Sequence, residues 1–191
     1  MGNREKILQR IASVTIGDTA LPPAKKLSTL LGDTTQNFVQ MIGAVGGKAI
    51  EVERLENLTE IVDGRFPSSK IVCTMANLPW YSPYVAVDPH TFEDVDLAIL
   101  PSHFGVAENG AVWITDVLMG DRAIPFIVQH LALVVERSSL VSTMHDAYER
   151  IGLSEYEFGV FIAGPSKTAD IEQSLVFGAH GPKSLTIFLV G

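Results

Sequence analysis

The chain has 191 residues and a formal net charge of −8, with 47% apolar and 19% charged residues. That length holds one well-buried core and not two comfortable ones. The acidic balance excludes nucleic acid and anionic membrane surfaces as partners, because both need a basic face.

The N-terminus, Met1-Gly2-Asn3-Arg4-Glu5-Lys6, lacks the apolar run of a secretory signal and has Lys6 where myristoylation needs Ser or Thr. A cytoplasmic protein is expected. Ile7, Leu8, Ile11 and Val14 fall at helical spacing, which predicts a helix over residues 3–16. Leu21-Pro22-Pro23-Ala24 reads as a linker and Gly32-Asp33 as a turn. A second helix is predicted from Thr34 or Thr35 through Phe38, Met41, Ile42 and Val45, ending at Gly46-Gly47. Residues 1–48 thus form an N-terminal helical extension ahead of an α/β domain over 49–191.

Strand-like runs follow at 49–52, 71–75 and 96–100, with a helix at 57–63 between the first two. Two apolar runs, 104–107 and 111–115, flank Glu108-Asn109-Gly110, and Asn-Gly in that setting signals a hairpin. Residues 124–128 and 131–135 read as further strands, and 142–151 as a helix carrying Met144, Ala147, Tyr148 and Ile151 on one face. The apolar run 123–135 is too short to cross a bilayer and has Gln129 and His130 in its middle. The chain closes with a strand at 159–163, a loop through Gly164-Pro165-Ser166-Lys167-Thr168, an amphipathic helix with Ile171 and Leu175 on one face, a polar turn His180-Gly181-Pro182-Lys183-Ser184, and a final strand. The fold class is therefore α/β: a Rossmann-like, mainly parallel sheet with an antiparallel hairpin insertion and N-terminal helices.

Two places carry candidate chemistry. At the 164–168 loop, backbone N–H groups of a helix N-terminus, two hydroxyls (Ser166, Thr168) and the Lys167 ammonium suit a phosphate or carboxylate. The spacing is not that of a Walker A loop, and Thr168 as a plain helix N-cap is an equal reading. Asp170 and Glu172, two apart on a helix, face different ways, and Asp170, nearer the loop, is the candidate acid or base. His180, beside Lys183, is either a proton shuttle or a residue that pins its turn. The second place is Glu108-Asn109-Gly110: a hairpin turn with a solvated glutamate, or a glutamate enclosed in an apolar loop that desolvation makes reactive. Cys73, the only cysteine, sits in an apolar run and reads as a buried strand residue. No two histidines have metal-ligand spacing, so no metal is expected.

Gly164 through Glu172, followed by Gly178-Ala179-His180-Gly181-Pro182, resembles the C-terminal signature of the lactate-utilization family, the LUD-domain proteins, and in particular their small type C subunit. Phe104-Gly105-Val106-Ala107-Glu108-Asn109-Gly110-Ala111 resembles that family's second signature, usually Ala-Glu-Thr-Gly-Thr, from which this chain departs at Asn109 and Ala111. The likeness spans about residues 50–191 and makes the 49–191 segment a LUD-type domain. It implies a fold related to the sugar-phosphate isomerase and CoA-transferase superfamily. It also implies service in oxidising lactate to pyruvate beside iron–sulfur partner proteins, with no cofactor in this chain and the clusters in the partners.

On that footing Glu108, Asp170 and His180 are the candidate catalytic residues, and Asn109, Gly110, Ser166, Lys167, Thr168 and Lys183 the candidate ligand-binding ones, gathered around one cleft. The ligand is a small anionic metabolite: lactate, an acyl-CoA or a phosphate ester. Two rival readings stay open. In one, the chain is a stand-alone CoA-transferase-like or sugar-phosphate enzyme, in which Glu108 attacks a thioester to form an acyl anhydride and Gly110 admits the substrate to the backbone. In the other it is a non-catalytic scaffold or regulatory subunit. The apolar content leaves a homo-oligomer open.

Overall fold

The computed structural model describes residues 2–13, 32–82, 88–169 and 175–191. Two helices come first, α1 (Asn3–Ala12) and α2 (Thr34–Ala44). Asp33 caps α2, its carboxylate accepting from the N–H groups of Thr35 and Gln36 at 2.7 and 3.1 Å, and this satisfies two of the donors that a helix start leaves open. Next come β1 (Lys48–Val52), α3 (Asn57–Arg65), β2 (Ile71–Cys73) and β3 (Leu97–Pro101). The middle holds β4 (Phe104–Val106), β5 (Ala111–Thr115), two short helices α4 (Asp116–Met119) and α5 (Ile124–Ile127), and β6 (His130–Glu136). The chain closes with α6 (Met144–Ile151), β7 (Gly159–Ile162), β8 (Lys167–Ala169), β9 (Leu175–Phe177) and β10 (Ser184–Val190).

Five strands form a wholly parallel sheet in the order β1-β10-β6-β3-β2. Its central strands are apolar at almost every position because both faces are covered. Leu131, Leu133 and Val135 of β6, with Leu185, Ile187 and Leu189 of β10, meet Phe38 and Ile42 of α2 on one face. Ala132, Val134 and Phe188 point the other way and meet Leu58 and Val62 of α3. A second sheet, antiparallel and ordered β4-β5-β7, lies over the α2 side. Val112 and Ile114 of β5 join the core shared with α2. Ala111 and Trp113, one residue out of phase, pack with Ala147 and Ile151 of α6. The period of two along each strand sorts the side chains into these layers.

Two predicted elements differ. Residues 124–127 form a helix and not a strand; Pro125 sits in its first turn, where the missing N–H costs nothing. The described residues after Gly164 do not open into a helix: Lys167–Ala169 and Leu175–Phe177 pair as an antiparallel ribbon, with Thr168 opposite Val176. Thr168 is therefore a strand residue and not a helix N-cap, and Leu175 lies on a strand. Asp170, Ile171 and Glu172 lie outside the described residues. The β7 strand pairs with β5 and not with the parallel sheet. Cys73 is fully buried, and burial pushes its thiol pKa up, which suits a packing residue. Among the described residues no helix is long and apolar enough to cross a membrane.

The register of β5 and β7 sets Val112 opposite Ile162, and continuing it by two residues sets Gly110 opposite Gly164. Both glycines have positive φ, +68° and +79°, and both press on the last turns of α2. A Cβ on Gly110 would lie 3.1 Å from the Ile42 nitrogen, and one on Gly164 would overlap the Val45 carbonyl oxygen. Replacing Gly164 by Ala is expected to cost about 3 kcal/mol in urea unfolding, from overpacking against backbone and a left-handed φ. Gly64, in α3, has nothing within 4 Å of its would-be Cβ and no positive φ, and Gly64→Ala is expected to stabilise by about 0.5–1 kcal/mol.

Candidate functional site

The 164–167 loop, the 180–182 turn and α5 enclose a pocket of about 300 Å³. Its polar lining is Ser166, Lys167 and His180; Phe126, Ile162 and Leu185 are among its apolar walls. Backbone bonds knit the two loops together: Ser166 N–H donates to the Pro182 carbonyl at 2.9 Å, and Gly178 N–H to the Ser166 carbonyl at 3.2 Å. Lys183 N–H donates to the Gln129 carbonyl at 2.8 Å, which ties the turn to the start of β6. Lys183 itself is exposed and does not line the pocket.

The Lys167 ammonium donates to the Val45 carbonyl at 2.5 Å. It thereby caps the C-terminal end of α2, where the helix dipole favours a cation. An ammonium has three donors, so one bond to a carbonyl leaves capacity to meet an anion. The local setting is thus the C-terminal end of one helix and a strand edge, and not the helix N-terminus expected from the sequence.

Glu108, Asn109 and Gly110 lie on the neighbouring loop at the same end of the antiparallel sheet, but they do not line this pocket. The Glu108 side chain is solvent-exposed, so the apolar enclosure that would activate it is missing. Its carboxylate accepts the Met144 N–H at 2.7 Å, at the start of α6, and its own N–H donates to the Ser142 carbonyl at 3.0 Å. A carboxylate there complements the positive end of the helix. Asn109 closes the turn, its side-chain oxygen accepting the Ala111 N–H at 3.0 Å. Ser166, Lys167 and His180 are thus brought together, while Glu108 lies outside that pocket with one carboxylate oxygen on the Met144 N–H. The side chain of Thr168, and Asp170 altogether, lie outside what is described. Among the described residues no group of three or more His, Cys, Asp or Glu side chains is placed to hold a metal ion.

With this geometry in view, the LUD domain profile matches residues 88–190, a stretch that contains both loops and the whole pocket. The chain belongs to the LUD domain family. Similar LUD proteins include "Lactate utilization protein C" of Oceanobacillus iheyensis, 30% identical over 51% of this chain and 45% of that protein. A protein of the same name from an Exiguobacterium species is 24% identical across 98% of this chain and 96% of its own length. In the stronger matches the chain spans under half the length of its relatives. Among solved structures, a DUF162 family protein from Deinococcus radiodurans shares the fold with a TM-score of 0.61, at 17% identity, over 83% of this chain and 96% of that one.

One polar constellation of the LUD domain carried no sequence signal. His103 and Thr115 meet at 2.8 Å, twelve residues apart and in no motif. His130 similarly meets Ser184 at 2.7 Å across two parallel strands. Burial, then a nearby cation (Arg150 for His103, Lys183 for His130), pushes both imidazoles below their ordinary value of 6.5; for His130, Asp96 opposes in part.

An imidazole that resists protonation when folded favours the unfolded chain once the unfolded imidazole takes up its proton. Stability is therefore full above about pH 6.5 and falls as pH drops through and below it. The urea midpoint is expected to fall between pH 7.5 and 5.5, and to fall less steeply in His130→Gln. Separately, Glu108→Ala is expected to cost about 1 kcal/mol in the same assay, the scale of a lost helix cap, while Glu108→Gln, which keeps the acceptor oxygen, costs less.

Proposed function

We propose that this LUD protein serves lactate utilization as a subunit that binds a small carboxylate in the Ser166–Lys167–His180 pocket and works beside iron–sulfur partner proteins that oxidise lactate to pyruvate. The observation that carries this reading is the meeting of a lysine ammonium, a serine hydroxyl and an imidazole in one largely apolar pocket of about 300 Å³. Such a pocket suits a ligand of a few heavy atoms with one negative end. Relatives named "Lactate utilization protein C" support the metabolic setting.

The pocket residues have roles that follow from their chemistry. Lys167 supplies the fixed positive charge, held in place by Val45. Ser166 supplies a hydroxyl whose backbone is fixed by Pro182. His180, exposed on its turn, supplies a ring nitrogen for a hydrogen bond to the ligand. Phe126, Ile162 and Leu185 exclude water around the ligand's carbon skeleton and strengthen the ion pair. The CoA-transferase-like alternative needs Glu108 free to attack a thioester, and its hydrogen bond to Met144 N–H disfavours that role.

Anaerobic affinity purification from the native host grown on lactate tests the setting. Cysteine-rich, iron-containing partners are expected to co-purify, and recovery of a single metal-free protein contradicts the reading. Calorimetry with lactate and pyruvate tests the pocket: Lys167→Gln is expected to weaken binding at least about tenfold, the scale of a lost charge-assisted hydrogen bond. Equal binding by Lys167→Gln and the parent protein removes the pocket from the account.

A further inference from the structure

The antiparallel sheet has a second polar end. β5 enters from the signature loops at Ala111 and leaves at Thr115, so its far end lies roughly 14 Å from its start at about 3.4 Å per residue. At that far end a separate cavity of about 280 Å³ opens, and its lining includes His103, Trp113, Thr115, Arg150, Glu155 and Tyr156. It shares no lining residue with the Ser166–Lys167–His180 pocket.

His103, Arg150, Glu155 and Tyr156 stand exposed at the rim of this cavity, and three observations order its lining. Thr115 is only 5% exposed. It holds the N-cap position of α4 yet makes no capping bond, and it meets His103 Nε2 at 2.8 Å; threonine at that position ordinarily caps. Arg150 is fixed twice, by a bond from Nη1 to the Ser139 carbonyl at 2.7 Å and by lying 5.0 Å over the Phe104 ring. A guanidinium has five N–H donors in a fork that matches a carboxylate, more than one carbonyl absorbs. Trp113 and Tyr156 meet edge-to-face at 5.5 Å, with their planes 78° apart, and supply an apolar corner.

We propose that this cavity is a second ligand site, which takes an aromatic or bulky apolar monocarboxylate, with the carboxylate on Arg150 and His103 and the apolar body against Trp113 and Tyr156. This proposal stands apart from the lactate reading and uses none of its residues. The charge that acts on His103 is that of Arg150 on α6, and Glu155 on the 154–157 segment lines the same cavity. Asp116 and Glu157, both paired with Arg122, lie in the adjoining groove. That acidic approach selects against dianions and leaves a monoanion as the ligand. A bound carboxylate favours the charged imidazole, so binding takes up a proton at His103 and tightens as pH falls, by at most about tenfold per pH unit.

Benzoate is the probe, and phthalate its dianionic comparator. In Trp80→Phe protein, benzoate is expected to shift the Trp113 indole resonance saturably and to raise the titration midpoint of the His103 ring in nuclear magnetic resonance. Phthalate is expected to bind at least about tenfold more weakly, since each added repulsive contact costs on the order of 1 kcal/mol or more. His103→Gln keeps a donor toward Thr115 and is expected to abolish the pH dependence, whereas a merely structural His103 leaves it unchanged. Arg150→Lys is expected to weaken benzoate about tenfold or more, because a point charge does not replace the fork. Lys167→Gln is expected to leave benzoate binding unchanged. No saturable shift of Trp113, binding indifferent to both His103→Gln and Arg150→Lys, or binding lost in Lys167→Gln overturns the proposal.

Discussion

The architecture of the candidate site rests on the close approach of two loop backbones to one helix end. Gly110 lies against the Met41–Ile42 peptide and Gly164 against the Val45 carbonyl, with Lys167 completing the cap of α2 from the same loop. Residues four apart lie one turn apart on the same helix face, so α2 is the common rest for both signature loops. The antiparallel sheet is thereby fixed over the parallel one, with Val112 and Ile114 in the core that α2 shares with β6 and β10. Small residues at the contacts and a helix cap at the end give the LUD domain a pocket whose walls come from loops but whose position is set by packed elements.

The two ends of the antiparallel sheet then differ in chemistry. At one end an ammonium, a hydroxyl and an exposed imidazole face a small apolar pocket. At the other a buried hydroxyl and an imidazole share a cavity with a guanidinium and aromatic walls. Both ends are proposed to take carboxylates, one compact and one bulky. The parallel sheet contributes no side chain of its own to either polar set; it contributes Leu131 and Leu185 as the floor of the first pocket and otherwise serves as the rigid layer beneath.

Much of this was legible in the sequence where the signal is local and periodic. Leu131, Leu133 and Val135 alternate with Ala132 and Val134 because both faces of β6 are buried, and that continuous apolar run marks a strand, whose parallel pairing the structure supplies. Asn109 and Gly46-Gly47 mark a turn and a helix end by local hydrogen bonding and backbone freedom, whereas Asp33, read as a turn residue, proves to cap α2. The misreadings are those in which a non-local partner decides. Pro125 suits the first turn of a helix as well as it suits a loop, and apolar content alone does not separate a four-residue helix from a strand. The 167–177 stretch satisfies a helical spacing, yet Lys167–Ala169 finds Leu175–Phe177 as a partner. Of the two sequence readings of Glu108, the solvated one agrees with its exposure and with its bond to the N–H of Met144, 36 residues on. His103 and Thr115 belong to no motif, and only the pairing of β4 with β5 brings them together.

A double-mutant cycle between Gly110→Ala and Gly164→Ala, read by urea unfolding, tests most directly whether α2 is the shared rest of the two LUD signature loops. If both loops press on the same helix end, displacing the helix for one methyl makes room for the other. The double variant is then expected to lose less than the sum of the single losses, by more than about 0.5 kcal/mol. Losses that add within about 0.3 kcal/mol would mean that the two loops are seated independently, and would contradict the central role given to α2.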